Sequence, residues 1–233
     1  MTEIELIKLN VHGITNSFRI PFHMTVHDTL NLPPKTTVIG MIAAALGYKR
    51  CSSDIENLYS NTLIGISGSY ISMYYDLISI YKLKDKAIKS QLQRQINYNN
   101  RYTIYIKNNA GLDDIYEKLK NPVYALSLGK AHEIINILSI SKIKKELITS
   151  EYIHISNTVV PFEIDDFDIC GNSNEIIPFI SVEMPLSFSV DNGYREPENF
   201  CKITQIMNLK IKIKRPDYKI IHDDDYDTDI VLQ

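Results

Sequence analysis

The segment Leu32–Gly47, with the sequence LPPKTTVIGMIAAALG, decides how the N-terminal half of the chain folds, because it predicts the first helix. Its two prolines end any preceding element, and a side-chain oxygen of Thr36 or Thr37 is expected to cap the helix. No charged or strongly polar residue occurs from Val38 to Leu46, so the helix must be covered on most sides. Gly47 suits a C-terminal stop.

The N-terminal end of this helix has two interpretations. In the first, free backbone N–H groups, the positive end of the helix dipole and Lys35 all face outward and form an anion site, for which phosphate is the usual ligand. In the second, the segment is an ordinary capped core helix with an exposed lysine, and it binds nothing. The spacing of the residues does not decide between these two interpretations.

The composition predicts a globular protein. The chain has 233 residues and is 44% hydrophobic, enough for one large domain or for one domain with a smaller companion. Its longest apolar run is shorter than the roughly 20 residues that span a bilayer, and residues 1–10 lack the pattern of a signal peptide. A cytoplasmic protein without membrane contact is therefore expected. Three widely spaced cysteines, Cys51, Cys170 and Cys201, predict neither a disulfide framework nor a zinc site.

The charge is unevenly distributed along the chain. Residues 1–150 hold 18 Lys/Arg and 12 Asp/Glu, a balance of +6, whereas residues 151–233 hold 7 and 16, a balance of −9. Between Lys82 and Lys107 seven basic residues are opposed by Asp85 alone, a pattern that fits a ladder of backbone phosphates. The acidic C-terminal part is expected to face protein instead of nucleic acid.

The hydrophobic pattern predicts an α+β fold with a ferredoxin-like, RNA-recognition-like βαββαβ domain over residues 1–150. Its predicted elements are, in order, a strand at Ile4–Val11, the helix described above, a short helical piece at Asp54–Tyr59, a strand-rich stretch at Leu63–Leu83, a basic insertion at Lys84–Asn100, a strand at Arg101–Lys107, a helix at Leu112–Leu119, and a strand within residues 131–140. The basic insertion reads as either a hairpin or a short helix.

The remainder of the chain predicts strands only. Residues 151–222 form a smaller β-rich part, whose last predicted strand, Lys202–Lys214, alternates apolar and basic residues. The basic face of that strand is either a solvated face or an RNA contact. Residues 223–233 form an acidic tail, for which a solvated and mobile terminus is expected.

Motifs of several enzyme classes do not occur in the sequence. It contains no HExxH, GxGxxG, Walker-type or GxSxG motif, so no metal, cofactor or nucleotide is predicted. The aromatic signature run of common RNA-recognition domains is also absent. RNA contacts would then use loops, helix ends and the tyrosines interleaved with basic residues, namely Tyr98, Arg101, Tyr102, Tyr105 and Lys107. Lys130 and His132, on one face of a predicted strand, could instead serve an endoribonuclease.

Two blocks of the sequence resemble the CRISPR-associated protein 5 family. The first is SFRIPFHMTVHDTLNLPPKTTVIGMIAAALGY at Ser17–Tyr48, with its PPKTT turn. The second is NPVYALSLGKAHEII at Asn121–Ile135, in which Gly129 and Lys130 form the turn. The PPKTT motif is similar to that of the type I-B-like branch. The resemblance implies a subunit of a type I Cascade complex with a modified RNA-recognition fold and a protruding thumb hairpin around residues 84–100.

The resemblance also implies partners and site residues. The protein would cap the CRISPR RNA, grip its 5′ handle, contact the Cascade backbone and large subunits, and meet target DNA only through the complex. The RNA-binding residues carried over by position are Ser17, Phe18, Arg19, Lys35, Thr36, Thr37, Lys84, Lys86, Lys89, Arg94, Arg101, Gly129, Lys130 and His132.

Family members that cut precursor RNA use a Tyr, Lys and His set with adjacent Lys and His. Here Ala131 separates Lys130 from His132, and the PPKTT helix has no tyrosine. A non-catalytic subunit is therefore predicted. Two alternatives stay open: a metal-independent endoribonuclease that processes precursor CRISPR RNA, and a structural protein that contacts only other subunits.

Overall fold

The chain folds around an antiparallel β-sheet that carries its helices on one face. A computed structural model describes residues 2–21, 23–83, 87–170, 180–191 and 194–233, with the backbone alone for 80–83 and 87–89. The N-terminal elements are β1 (Glu3–Asn16), β2 (Val26–His27), α1 (Lys35–Leu46), α2 (Ser53–Asn61), β3 (Thr62–Ser69), β4 (Ser72–Leu83), β5 (Ala87–Asn108), α3 (Leu112–Lys120) and β6 (Ile135–Glu146).

The central strands lie in the order β3-β5-β1-β6. β5 pairs antiparallel with both β1 and β3, and β6 pairs antiparallel with β1. The chain therefore passes through α1 and α2 between β1 and β3, and through α3 between β5 and β6. This order is that of a ferredoxin-like βαββαβ unit, so the predicted α+β fold is confirmed.

α1 is buried against the sheet, as its apolar sequence requires. The side chains of Val38, Ile39 and Ile42 have no exposed surface and belong to the main hydrophobic core. The helix stops at Gly47, whose φ of 79° is readily adopted only by glycine and whose N–H donates to the Ala44 carbonyl at 3.2 Å. The predicted helix and its stop are confirmed.

The predicted threonine cap at the start of α1 is wrong. Pro34 occupies the N-cap position, and no side chain caps the helix there. Its carbonyl oxygen accepts a hydrogen bond from the Thr37 N–H at 3.0 Å. Since proline supplies the required extended backbone before the first turn, Thr36 and Thr37 lie inside that turn and keep their hydroxyls for other contacts.

A long hairpin projects from the sheet. The C-terminal half of β5 lies between β1 and β3, whereas its N-terminal half pairs with β4 from Ser72↔Tyr98 to Leu83↔Ala87. The basic insertion is thus part of a hairpin and not a short helix. We call this β4–β5 hairpin, which starts at Ser72, the projecting arm, and it is longer than the predicted segment 84–100. Residues 84–86 of that segment lie outside the described residues.

The C-terminal elements extend the same sheet and form two further, smaller sheets. They are β7 (Tyr152–Ile155), β8 (Thr158–Val160), β9 (Asp168–Ile169), β10 (Ile180–Asp191), β11 (Tyr194–Ile206), β12 (Ile211–Lys214), β13 (Lys219–Asp223) and β14 (Thr228–Leu232). The order β10-β11-β8-β3 joins the β10–β11 hairpin to the central sheet, while β7, β12 and β9 form a separate three-stranded sheet.

The stretch predicted as one strand at Lys202–Lys214 is two strands. β11 ends at Ile206 and β12 begins at Ile211, with Asn208 between them at a φ of 56°. The predicted alternation is nevertheless present in β12, because Ile211 and Ile213 are buried and Lys214 is exposed. The left-handed turn residue moves the chain from one sheet to the other.

The acidic C-terminus is folded, so the expected solvated and mobile tail is wrong. β13 and β14 form a hairpin whose Ile221, Ile230 and Leu232 pack against Leu6 on the face of the sheet that carries no helix. The N–H and carbonyl of Gln233 both pair with Ile64, at 3.0 and 2.9 Å. The aspartates are concentrated in the turn and strand ends of this hairpin, and its apolar residues face the sheet.

Among the residues that the structure describes, no helix combines the length and the apolarity needed to cross a bilayer.

Candidate nucleic-acid interface

The segment before α1 folds back on itself and then joins the base of the projecting arm. The Phe18 N–H donates to Thr29 Oγ1 at 2.7 Å, and the Leu30 N–H donates to the Phe18 carbonyl at 2.9 Å. β2 then pairs in parallel with β5, which places His27 opposite Arg94. Arg19, between these contacts, keeps an exposed side chain.

Glu133 fixes the turn of the second sequence block onto this segment. Its carboxylate accepts hydrogen bonds from the Ser17 N–H at 3.0 Å, the Ser17 hydroxyl at 2.6 Å and the Lys130 N–H at 2.7 Å. The residue is 1% exposed. Sequence analysis missed Glu133, although a carboxylate three residues after a glycine–lysine pair is well placed to accept a backbone N–H in a turn.

Gly129 is required where this turn meets Ser17. Its φ of 102° is one that other residues rarely adopt. A Cβ at this position would lie 2.2 Å from Glu133 Oε2 and 2.5 Å from the Ser17 carbonyl oxygen. The glycine therefore allows two segments that are distant in sequence to come into contact.

Four basic residues from separate elements lie near this contact, three of them close enough to act electrostatically on His27, and we call the four the cationic cluster. They are Arg19 before β2, His27 in β2, Arg94 in β5 and Lys130 in the turn. Burial lowers the pKa of His27, and the positive charges of Arg19, Lys130 and Arg94 lower it further. The cluster is thus a region of positive potential, which favours anionic ligands.

The carboxylates near the cluster neutralise only part of it. Arg94 lies 3.0 Å from Asp76 and 3.9 Å from Glu133, and its side chain is only 12% exposed. Within the described part of the chain, Arg19 and Lys130 form no ion pair, and both are exposed. Two solvent-facing cations are therefore available to a ligand.

A groove of about 420 Å³ runs beside the cluster along the start of α1. We call it the α1 groove. It is lined by Thr36, Thr37, Gly40, Met41, Ala44, Ser127, Gly129, Ala131, Phe188 and Arg195. Lys130 lies between two of these residues, so the groove and the cationic cluster are continuous. Gly40 in the middle of α1 faces the open space of this groove, with no atom within 4 Å of where a Cβ would lie.

The C-terminal part contributes one wall of the α1 groove, which sequence analysis did not anticipate. The guanidinium of Arg195 lies 4.3 Å from the ring centroid of Phe188 and donates to the Tyr59 hydroxyl at 3.0 Å. Phe188 and Arg195 belong to the β10–β11 hairpin, which crosses over α1 and α2. The sequence Asp-Asn-Gly at 191–193 is typical of hairpins, but such a signal leaves open where a hairpin packs.

The prediction that Lys35 faces outward is wrong. The residue is 9% exposed and lines a separate pocket of about 460 Å³ beneath the β10–β11 hairpin, with Tyr59 and Phe188. Burial lowers the pKa of its amino group, and the nearby Cys201 offsets this only in part. Among the described residues Lys35 forms no ion pair.

Ser17 and Phe18 are also buried instead of exposed to a ligand. Phe18 is 3% exposed and packs edge-on against Tyr102, with ring centroids 6.0 Å apart. Ser17 is 6% exposed and its polar groups are bound to Glu133. Both residues therefore shape the interface from beneath, whereas Arg19 is the member of this motif that reaches the surface.

The face of the sheet without helices is occupied by the acidic hairpin. Asp223 accepts hydrogen bonds from Ser67 and, at 2.9 Å, from the Tyr105 hydroxyl, and burial together with this carboxylate raises the pKa of Tyr105. Tyr102 and Tyr105 are 1% and 0% exposed, so the idea that they stack on bases is wrong. Arg101 lines a separate cleft on this face, away from the α1 groove.

Lys130 and His132 are exposed residues of the turn before β6. The prediction that they share one face of a strand is therefore wrong. Lys84 and Lys86 lie outside the described residues, as does the side chain of Lys89. Of the predicted binding residues, the structure brings together Arg19, Arg94 and Lys130 in the cluster, and Thr36, Thr37 and Gly129 in the adjoining groove.

Several solved structures share this fold at low sequence identity. A crystal structure of a CRISPR protein from Archaeoglobus fulgidus is 13% identical, with a TM-score of 0.56 over 98% of this chain and 99% of that chain. A chain of a CRISPR RNA-guided surveillance complex is 14% identical, with a TM-score of 0.55 over 86% of this chain and 90% of that chain.

A crystal structure of a Cas protein is 22% identical, with a TM-score of 0.41 over 55% of this chain and 58% of that chain. No curated protein matches the chain in sequence. The profile of the family described as CRISPR-associated protein (Cas_Cas5) matches residues 6–159, which is well over half of the chain. The chain therefore belongs to this family of CRISPR-associated proteins.

Proposed function

We propose that the chain is a non-catalytic, RNA-binding subunit of a type I CRISPR surveillance complex that holds the 5′ handle of the CRISPR RNA in the α1 groove. The observation that carries this proposal is the continuity of the groove with the cationic cluster. Thr36, Gly129 and Arg195 line the groove, although they are remote in sequence. Lys130 lies between the lining residues Gly129 and Ala131, and it shares with Arg19 an electrostatic interaction with His27. Family membership and the shared fold with a chain of a CRISPR RNA-guided surveillance complex support the same proposal.

The chemistry of the groove suits a single-stranded RNA. Arg19 and Lys130 supply exposed charges for phosphates, and the hydroxyls of Thr36 and Thr37 supply donors at the positive end of α1. Phe188 offers a partly exposed aromatic ring that Arg195 already holds in place. Base stacking on such a ring contributes about 1–3 kcal/mol.

The acidic hairpin explains why the α1 groove is a better site for RNA than the helix-free face of the sheet. RNA-recognition domains usually bind RNA on the helix-free face of the sheet. In this chain Ile230 and Leu232 cover that face, and Asp225 and Asp224 form ion pairs with Lys8 and Lys145. The sheet surface is therefore covered and these two lysines are already paired, so the helix side of the sheet is the more favourable surface for RNA.

The proposal is tested by measuring the affinity for labelled repeat RNA as a function of salt concentration. Removing both charges in Arg19→Ala/Lys130→Ala is expected to weaken binding and to reduce the slope of log K against log salt by about 1.4, at about 0.7 for each phosphate contact. The matched control, Lys49→Ala/Arg50→Ala, removes two exposed charges beyond the other end of α1 and should leave both quantities unchanged. Equal effects of the two double variants would refute the assignment.

A second pair of variants tests the groove itself. Gly40→Glu places a carboxylate in the open space of the α1 groove and is expected to weaken RNA binding at least tenfold through repulsion. Gly40→Ala is the matched control, since it adds only a methyl group. RNA affinity that survives Gly40→Glu would place the RNA elsewhere.

The endoribonuclease alternative retains one observation in its favour, which is the exposure of Lys130 and His132 in the same turn. Incubation of the purified protein with labelled repeat RNA in EDTA distinguishes the two functions. We expect intact RNA. Specific cleavage that is lost in His132→Ala would replace the non-catalytic proposal by the catalytic one.

A further inference from the structure

We infer that His27 contacts an RNA phosphate as an imidazolium ion, so that one proton is taken up when RNA binds to the cationic cluster. This inference rests on the proposed function and assigns a role to a residue that neither sequence block singled out. It makes RNA affinity depend on pH in the range in which histidine titrates.

Backbone pairing, an ion pair and hydrogen bonds link the segment of His27 to those of the other three cluster residues. β2 holds it opposite Arg94 in the parallel pairing with β5. Arg94 lies 3.9 Å from Glu133, which in turn binds the Lys130 N–H at 2.7 Å. The Ile20 N–H donates to the Asp28 carbonyl at 3.0 Å, which ties the chain next to His27 to the chain next to Arg19.

The carboxylates around His27 are already engaged. Asp28 is bound to His23 at 2.6 Å, Asp76 to Arg94 at 3.0 Å, and Glu133 is buried beneath the turn. The charged groups that act on His27 are Arg19, Lys130 and Arg94, all of them positive. Among the residues that the structure describes, no carboxylate is therefore left to stabilise a charge on the ring in the free protein.

These surroundings lower the pKa of His27 in the free protein below the ordinary 6.5, so the ring is neutral at physiological pH. A phosphate bound to the cluster reverses the balance, because a negative charge nearby favours the imidazolium. The pKa in the complex then exceeds that in the free protein. Between the two values the complex holds one more proton, and by linkage the affinity falls as pH rises.

The change in RNA affinity with pH follows from the rise in the pKa of His27 when the phosphate binds. If the phosphate raises the pKa of His27 by about one unit, the affinity for RNA changes about tenfold across the titration. Phosphodiester groups keep their charge over this range, and an oligouridylate probe carries no base that titrates there. The pH dependence measured with that probe is thus a property of the protein.

The test measures the affinity for labelled oligouridylate from pH 5.5 to 8 for the wild type and for three variants. His27→Gln keeps a hydrogen-bond donor without the titration, and its affinity should show no gain at low pH relative to its own value at pH 8. His23→Gln and His154→Gln, the latter at an exposed position of β7, are the matched controls and should keep the gain. Calorimetry in buffers with different ionisation enthalpies should detect up to one proton taken up by the wild type and none by His27→Gln.

The outcomes separate the inference from the proposed function. RNA binding without pH dependence, or a pH dependence that persists in His27→Gln, would overturn the inference and leave the proposed function standing. The absence of RNA binding at every pH would overturn both. A gain at low pH that disappears in His27→Gln alone would establish the role of His27.

Discussion

The carboxylate of Glu133 accepts hydrogen bonds from both the backbone N–H and the hydroxyl of Ser17, at 3.0 and 2.6 Å, across 116 positions of sequence. This relationship joins the two sequence blocks that identify the family. The first block supplies Arg19 and the start of α1, and the second supplies the turn that carries Lys130. Glu133 therefore positions the groups that we propose to bind RNA, without reaching the surface itself.

Replacing this carboxylate should loosen the interface. Glu133→Ala leaves the Ser17 and Lys130 donors without their acceptor in a buried site, and we expect a loss of about 1–3 kcal/mol in the free energy of unfolding. Chemical denaturation measures this loss. Glu117→Ala removes an exposed carboxylate paired with Lys120 and should change stability by less than about 0.5 kcal/mol. Similar losses in the two variants would contradict the positioning role of Glu133.

Two glycines of the interface should respond in opposite ways to the same substitution. Gly129→Ala forces a Cβ against Glu133 and Ser17 at positive φ, so we expect a destabilisation of at least about 1–3 kcal/mol and weaker RNA binding. Gly40→Ala adds its methyl group to open space in the middle of α1 and should stabilise the protein by about 0.5–1 kcal/mol. Thermal unfolding of both variants provides the comparison. If Gly129→Ala were neutral, the turn would not be constrained as described.

The order of the elements could be predicted from the sequence because each depends on local signals. The apolar run of α1, its stop at Gly47 and the alternation in β5 and β12 are visible in a few consecutive residues. The exposed residues of the candidate site could be predicted in part for the same reason. Arg19 and Lys130 are basic residues of motif segments, and loops usually place such side chains in solvent.

The remaining features depend on contacts that are distant in sequence. Lys35 is buried because the β10–β11 hairpin crosses over α1, more than 140 residues later in the chain. The acidic tail is folded because alternate apolar residues, such as Ile221 and Ile230, find an apolar patch on the sheet. The prediction of a mobile tail rested on the five aspartates of this segment and did not take the apolar residues between them into account.

Lys35 should make stability depend on alkaline pH. Burial holds its pKa below the ordinary 10.5, so between the two values the unfolded chain binds more protons and stability rises with pH. Lys35→Met should remove this rise and stabilise the protein at pH 7 by about 1 kcal/mol, because a desolvated charge disappears. Urea unfolding from pH 7 to 10.5 tests this, with the exposed Lys49→Met as the control. A loss of stability in Lys35→Met at pH 7 would show that the amino group has a stabilising partner.

The acidic hairpin should behave as part of the core. Ile230 is fully buried against Leu6 and Tyr105, so we expect Ile230→Ala to destabilise the protein by about 2–5 kcal/mol. Ile169→Ala, at a residue that is 46% exposed, should cost less than about 1 kcal/mol. Denaturant titration measures both. A small effect at Ile230 would mean that the hairpin detaches from the sheet in solution.

The projecting arm should bind a protein partner through one row of β4. Met73, Tyr75 and Leu77 alternate along the strand and are 40%, 58% and 57% exposed. Such a row on the outer strand of a hairpin would promote aggregation of a free monomer. It indicates a surface that another chain covers. The family resemblance implies a backbone subunit of the complex as that chain. Replacing the three residues by serine should leave the unfolding midpoint within about 0.5 kcal/mol of the wild type, since exposed side chains contribute little to folding.

The same triple variant should fail to assemble with the other subunits. Co-expression with the Cascade subunits and CRISPR RNA, followed by size exclusion, measures the fraction of the protein incorporated. The matched control is Ile14→Ser/Val123→Ser/Tyr194→Ser, which changes three exposed apolar residues away from β4 that are 61%, 52% and 76% exposed. We expect incorporation to fall at least tenfold for the arm variant and to stay unchanged for the control. Since neither variant alters the α1 groove, both should keep wild-type affinity for free RNA, which separates the two binding surfaces. Full incorporation of the arm variant would show that the partner binds elsewhere on the protein.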